Sequence, residues 1–175
     1  MSVVLKDLNR YSQTLSGKFK VIFFSASFHS VLLYRISNFL YNKVPVVGNL
    51  LSVVFEYLNR ILYSCDVSRK CTIGSGFMIV HCAGIVIGEK VEVGKNCKIF
   101  NCVNLGNKDT ETGEDKQPTI KNDVVLGAGA KCLGDIEIGN NVTIGANSVV
   151  LTNVPDHCIA VGVPAKVILK KRIRI

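Results

Sequence analysis

Histidine, cysteine, aspartate and lysine are the side chains of this sequence that could carry chemistry, and one histidine stands out by its surroundings. His81 sits inside FMIVHCAGIVIG, Phe77 to Gly88, a run that is otherwise apolar and small. Imidazole changes charge near neutral pH, so His81 is either a core residue with a satisfied ring or a base placed for a substrate. His29 and His157 lie in unrelated segments and read as structural or surface residues. A zinc site needs several ligands that converge; no spacing of histidines or cysteines supplies them, so no metal is expected. The seven cysteines, Cys65, Cys71, Cys82, Cys97, Cys102, Cys132 and Cys158, are odd in number and contain no CxxC pair. No secretory signal pattern opens the sequence. The expectation is a reduced, cytoplasmic setting.

What positions these residues is a six-residue period. Aliphatic residues recur at Ile120, Leu126, Ile138, Ile144 and Val150, with Cys132 filling the gap. An earlier block runs Ile87, Val93, Ile99, Leu105, and a third, in another phase, runs Val67, Ile73, Ile79. Four positions after the aliphatic comes a small or β-branched residue, as at Val91, Cys97, Val103, Val124, Ala130, Val142 and Ser148. A helix cannot use a period of six, because its apolar stripe returns every 3.6 residues. A parallel β-helix can: each unit is a short strand plus a corner, and three units make a coil. Residues 65–169 then give about five coils. Cys71, Cys97 and Cys132 fall in inward slots and read as small hydrophobes. Between Leu105 and Ile120 the spacing stretches to 15, and GNKDTETGEDKQPT must leave the prism as a polar loop, 106–119, of the kind that covers a site.

Residues 1–62 lack the repeat and show helical spacing instead. Phe28, Leu32, Ile36 and Phe39 form one stripe, and Leu51, Val54, Phe55, Leu58 and Leu62 form another. Two or more helices joined near Val44–Gly48 are predicted, capping the open edge of the first coil. The division is therefore a helical region 1–62, a β-helix domain 63–169 and a basic tail 170–175. Net charge is +8, and residues 1–60 carry seven Lys/Arg against two Asp/Glu. Such a balance suits an anionic partner: a phosphorylated cofactor, an acidic glycan or a membrane surface. Nucleic acid is not expected, because no basic patch is interleaved with stacking aromatics. The basic, apolar N-terminal region also fits peripheral contact with the inner face of a membrane.

The hexapeptide repeats, the histidine of VHCAGIVIG, the segment LGAGAKCLGDIEIG and the closing VPDHCIAVGVPAKVI resemble the serine acetyltransferases and their relatives, which include bacterial sugar and exopolysaccharide O-acetyltransferases. The likeness covers about residues 64–169, with a weaker echo in FHSVLLYRISNFLY. It implies a mainly β fold, a left-handed parallel β-helix, although the general crossover rule favours the right hand. It implies homotrimers, or multiples of them, with acetyl-CoA between neighbouring prisms. It implies that His81 is the general base toward an acceptor hydroxyl, a poor nucleophile until deprotonated. Asp66, 15 residues upstream in SCDVSRKCTIG, occupies the position of the partner carboxylate that fixes the imidazole tautomer. By the same resemblance Gly106 and Asn107 lie beside the thioester, and Ala128 and Ala146 admit the pantetheine arm. Lys166, with Lys170, Lys171 and Arg172 behind it, is the candidate for CoA phosphates.

The sequence departs from the serine enzymes where they hold the amino acid. They carry an aspartate immediately before the histidine; this chain has Val80. They carry an Arg-His pair before a proline; this chain has Lys116 and Gln117 before Pro118. Lysine still attracts a carboxylate but lacks the two-pronged grip of arginine. Because the base is kept while the charged groups that would hold an amino acid are replaced, the expected acceptor is a hydroxyl of a sugar or surface-polysaccharide precursor, with Lys116 and Gln117 on the substrate. Serine O-acetylation is the alternative reading, and a non-catalytic β-helix scaffold is the alternative of another class.

Overall fold

The computed structural model describes residues 2–108 and 116–170. The chain opens with four helices, α1 (Val3–Tyr11), α2 (Leu15–Phe24), α3 (Ala26–Lys43) and α4 (Val47–Tyr63). Hydroxyl caps start the first three: Ser2 accepts from Leu5 N–H, Thr14 from Gly17 N–H and Ser25 from Phe28 N–H. Ser64, in the left-handed region at φ 51°, stops α4 and turns the chain into the first strand.

The strands wind into a left-handed parallel β-helix of five coils. The first coil is β1 (Cys65–Val67), β2 (Thr72–Ile73) and β3 (Met78–Ile79). The second is β4 (Ile85–Ile87), β5 (Glu92–Val93) and β6 (Lys98–Ile99). The third is β7 (Asn104–Gly106), β8 (Thr119–Ile120) and β9 (Val125–Leu126), and the fourth is β10 (Lys131–Leu133), β11 (Glu137–Ile138) and β12 (Thr143–Ile144). The fifth has β13 (Val149–Val150), a bridge at Val154 and β14 (Cys158–Val161); β15 (Lys166–Leu169) then folds back antiparallel on β14.

The hexad residues are the core. Val67, Ile87, Leu105, Cys132 and Val150 stack in register on one sheet, and Ile79, Ile99, Leu126, Ile144 and Ala160 on another. All ten are buried. Each aliphatic removed from water contributes roughly 1.5–3 kcal/mol, and columns of them explain why two-residue strands hold. Cys71, Cys97 and Cys132 occupy inward slots as expected. Burial pushes the Cys97 thiol up to about 11 and those of Cys71 and Cys132 up to about 12, so they stay neutral and inert.

The lower edge of the first coil has no coil beneath it, and side chains from the helices take that place. Tyr34 donates to Cys71 C=O (2.9 Å), and Asn38 donates to Arg69 C=O (2.7 Å). Asp7 accepts from Gly76 N–H (2.7 Å) and Phe77 N–H (2.9 Å), while Arg35 joins Asp7 to the carbonyls of Ile73 and Gly74. Open backbone groups are thus satisfied without a further strand.

The faces of the helices differ from expectation. α3 turns Phe28, Val31 and Tyr34 into the core, whereas Phe39, placed on the core stripe by its spacing, is exposed. On α4 the expected stripe is at the surface: Leu51, Val54 and Leu62 are exposed, and the buried residues are Gly48, Ser52 and Asn59. The reason is close packing. Ser37 Oγ donates to Ser52 C=O (2.8 Å), Asn59 Nδ2 donates to Ser30 C=O (3.2 Å), and a Cβ on Gly48 would collide with Leu40 C=O. Backbones this near leave no room for large side chains between them.

Candidate active site

Most corners of the prism recur at a spacing of six, but Ile79 to Ile87 is eight. The two extra residues enlarge the corner between β3 and β4, Val80 to Gly84, and His81 stands on it, exposed. The backbone on either side is tied down. Above, Val80 N–H donates to Ile99 C=O (2.9 Å), and Ala83 C=O accepts from Cys102 N–H (2.7 Å). Below, the Tyr11 hydroxyl accepts from Ile79 N–H and donates to Ile79 C=O, both at 3.0 Å, and Ser27 Oγ donates to Val80 C=O (3.1 Å). Burial pushes the Tyr11 hydroxyl far above its ordinary range, so it remains a neutral donor. Tyr11 and Ser27 escape sequence reasoning: they lie 68 and 53 residues from their partners, and no period links them.

Asp66 is the outward residue of β1, in register with Val86 on the same sheet. Its carboxylate takes a hydrogen bond from Arg60 Nη2 at 2.8 Å, and that bond raises the arginine further. The structure therefore sets Asp66 on the sheet that leads away from the His81 corner but joins it to Arg60 rather than to the imidazole. Both partners are well exposed, and such a pair is worth little, ~0–1 kcal/mol.

Above His81 the same edge rises through the successive coils. Cys102 N–H donates to Ala83 C=O, Gly129 N–H to Asn101 C=O (2.9 Å) and Asn147 N–H to Ala128 C=O (2.8 Å). Ala83, Asn101, Ala128 and Ala146 thus form one column. Lys166, exposed, is in register with Val161 at the top, where Val161 packs against Gly145 beside Ala146. His81, Ala128, Ala146 and Lys166 are brought to one edge, and small residues leave a track along it. Lys170 is elsewhere: its Nζ donates to Asn141 C=O (2.6 Å). Lys171 and Arg172 lie outside the described residues.

Gly106 and Asn107 are not on that edge. Gly106 ends β7 and accepts from Gly134 N–H (3.0 Å), at the other side of the sheet, where the 106–119 loop departs. Residues 109–115 of this loop lie outside the described residues. Lys116 Nζ is 3.6 Å from Asp135 Oδ2, both exposed. Gln117 Oε1 accepts from Lys90 N–H (3.2 Å), folded so tightly over Gly88 that a Cβ there would collide with it. Asn122 and Asn140 make the same kind of corner bond, to Lys95 N–H and Asn122 N–H.

The bacterial transferase hexapeptide (six repeats) family matches residues 117–152. The serine acetyltransferase of Synechococcus elongatus is 42% identical over 149 residues, 85% of this chain and 59% of that protein. The serine acetyltransferase of Bacillus subtilis is 38% identical over 159 residues, 89% of this chain and 71% of that protein. A solved serine acetyltransferase in complex with cysteine superposes with a TM-score of 0.85, and one in complex with CoA with 0.83. Both are 31% identical, and each match covers 95% of this chain and 68% of the other. The chain spans 59% and 64% of the length of two similar curated relatives, from Synechococcus and from Buchnera aphidicola of Schizaphis graminum.

These relatives overturn the expectation of a sugar or polysaccharide acceptor, since they are serine acetyltransferases over nearly the whole of this chain. The physical fault is visible at Gln117. Its polarity suggested hydroxyl recognition, yet its carbonyl oxygen serves a corner bond to Lys90.

Proposed function

The chain belongs to the serine acetyltransferase family, and from that premise we propose that it transfers the acetyl group of acetyl-CoA to the hydroxyl oxygen of L-serine. The observation that carries the reading is the 38% identity across 71% of the Bacillus subtilis enzyme's length, together with the enlarged corner that presents His81. His81 takes the hydroxyl proton as the serine oxygen attacks the thioester carbonyl. Gly106 lets the thioester approach the backbone, and the oxyanion of the tetrahedral intermediate is met by the backbone N–H of Asn107, where the loop departs. The carbon–sulfur bond then breaks, and the imidazolium returns its proton to the leaving thiolate. The products are O-acetylserine and CoA.

Asp66 fixes the imidazole tautomer in this reading, exchanging its weak exposed pair with Arg60 for the histidine. Ala128 and Ala146 let the pantetheine arm lie against the backbone, and Lys166 meets phosphate at the top of the track. Lys116 attracts the serine carboxylate. Because the His81 edge and the loop edge are different edges of one prism, a complete site joins the His81 edge of one copy to the loop of a neighbour, as in a homotrimer. Seven free cysteines support a reduced, cytoplasmic setting.

The test is product formation by the His81→Ala variant. O-acetylserine, read by mass, is expected to form ~10²–10⁴-fold more slowly with an unchanged melting temperature. An unaltered rate would remove the base assignment.

A further inference from the structure

The carboxylate and the imidazole that the proposed function pairs are not bonded to each other in this structure, and one side chain explains why. No described residue bonds the His81 ring. Asp66 is held on one oxygen only: Oδ1 accepts from Arg60 Nη2 at 2.8 Å, and no described residue bonds Oδ2. Arg60 is placed there by the turn that starts the prism. It stands on the last turn of α4, and Ser64, the left-handed residue that ends the helix, donates its N–H to Arg60 C=O (3.1 Å). Two residues later Asp66 faces outward on β1, in register with Val86 on the strand that leaves the His81 corner. The carboxylate thus lies between the end of α4 and the strand that carries the histidine.

The other charged and titratable groups near this pair are engaged or neutral. Along α4, Glu56 and Tyr57 face Arg60, and Glu56 is held by Arg69 at 2.7 Å. Asp7 is committed to Arg35 and to the N–H groups of Gly76 and Phe77, and Glu89 to Lys70. Tyr63 ends α4 beside His29, and Cys102 closes the His81 corner from the coil above. Tyr11, Cys65 and Cys82 stand at the corner itself. Burial pushes the Cys65 thiol up to about 11 and the Tyr11 hydroxyl far above its ordinary range, so both stay neutral while a histidine titrates. A neutral imidazole and a guanidinium compete unequally for a carboxylate, because only the guanidinium carries charge. Once the ring takes a proton, the imidazolium competes as a cation too. The bond to Arg60 is single-pronged, without the two-bond grip of a guanidinium fork, and so gives way readily. We propose that Arg60 is a positioning residue for the base: it holds Asp66 away from neutral His81 and yields it as the imidazolium forms, which keeps the ring neutral until it receives the hydroxyl proton. This inference rests on the pairing of Asp66 with His81 in the proposed function.

The experiment is a pH titration of the full chain with isotope-labelled histidine, followed by nuclear magnetic resonance without acetyl-CoA or acceptor. His81→Gln assigns the His81 signals among the three histidines. In the wild type the neutral His81 ring is expected as a mixture of its two tautomers. Arg60→Gln should leave one tautomer, because Asp66 then takes the ring N–H. It should also move the His81 midpoint up by about 0.5 pH, the size that a weak pair allows. Arg60→Lys, which keeps the charge, should return the wild-type behaviour. Asp66→Asn added to Arg60→Gln should restore the mixture. A role of Arg60 confined to the helix end would alter the melting temperature and leave the tautomers alone. A single tautomer already in the wild type, or a mixture that persists in Arg60→Gln whatever its midpoint, overturns the proposal. A single tautomer that survives the loss of Asp66 overturns the pairing of Asp66 with His81 as well. No substrate enters these readouts, so their failure is separate from that of serine acetylation, which product formation by His81→Ala decides.

Discussion

His81 owes its position to residues that do no chemistry. Its corner belongs to the first coil, so the coil above ties one side, and Tyr11 and Ser27 tie the other. A displacement of about 1 Å at a reacting group can cost on the order of 10²-fold in rate. Ser27→Ala frees Val80 C=O and is expected to lower kcat about tenfold, with KM for acetyl-CoA unchanged and the melting temperature little altered. Ser27→Thr, which keeps the hydroxyl, should restore kcat. Steady-state kinetics on the three proteins check this, and equal kcat in all three would show that the corner holds itself. The histidine was legible in the sequence because it interrupts an apolar repeat. The two hydroxyls were not, because what selects them is the distance between chain segments after folding. Asp66 was legible only by position, and its partner Arg60, on the last turn of α4, was hidden for the same reason.

At the scale of elements, the six-residue period predicts the β-helix because one spacing has one mechanical solution: every sixth side chain points into the prism, and every third of these meets its counterpart in the next coil. Ile79, Ile99, Leu126 and Ile144 do so in register. The helices were less legible. An apolar stripe is read as the buried face on the assumption that water surrounds the molecule. Close packing of α4 against α3 reverses the faces, with Leu51 and Leu62 outward and Ser52 and Asn59 inward. What fixes the helices to the prism is the buried pair of Asp7 and Arg35, at 2.9 Å, bonded on both sides to the open edge of the first coil. Asp7→Ala leaves a buried guanidinium without its anion and two backbone N–H groups without an acceptor, a change that costs about 3–5 kcal/mol. Denaturant unfolding checks this, and a loss below about 1 kcal/mol would mean that the pair is dispensable.

The whole molecule combines an apolar prism core with a charge distribution that is strongly uneven. The β-helix pairs many of its charges, as in Lys70 with Glu89 and Lys121 with Glu137, while the helical layer carries cations and exposed aliphatics. Composition showed the excess of positive charge, and the fold shows where part of it goes: Arg35 is paired with Asp7 and Arg60 with Asp66, while Lys18 and Lys20 lie on α2. The acceptor was the least legible feature. Val80 and the Lys116–Gln117 pair suggested that an amino acid is not bound, yet Gln117 serves a corner and the serine enzymes match along the chain. The central claim is serine O-acetylation, and the most direct measurement is the initial rate of thioester loss from acetyl-CoA, followed by absorbance, with L-serine and with a panel of sugars and oligosaccharides as acceptors. The account predicts turnover with L-serine, saturable in both substrates and absent with the sugars. Turnover with a sugar and none with serine would contradict it.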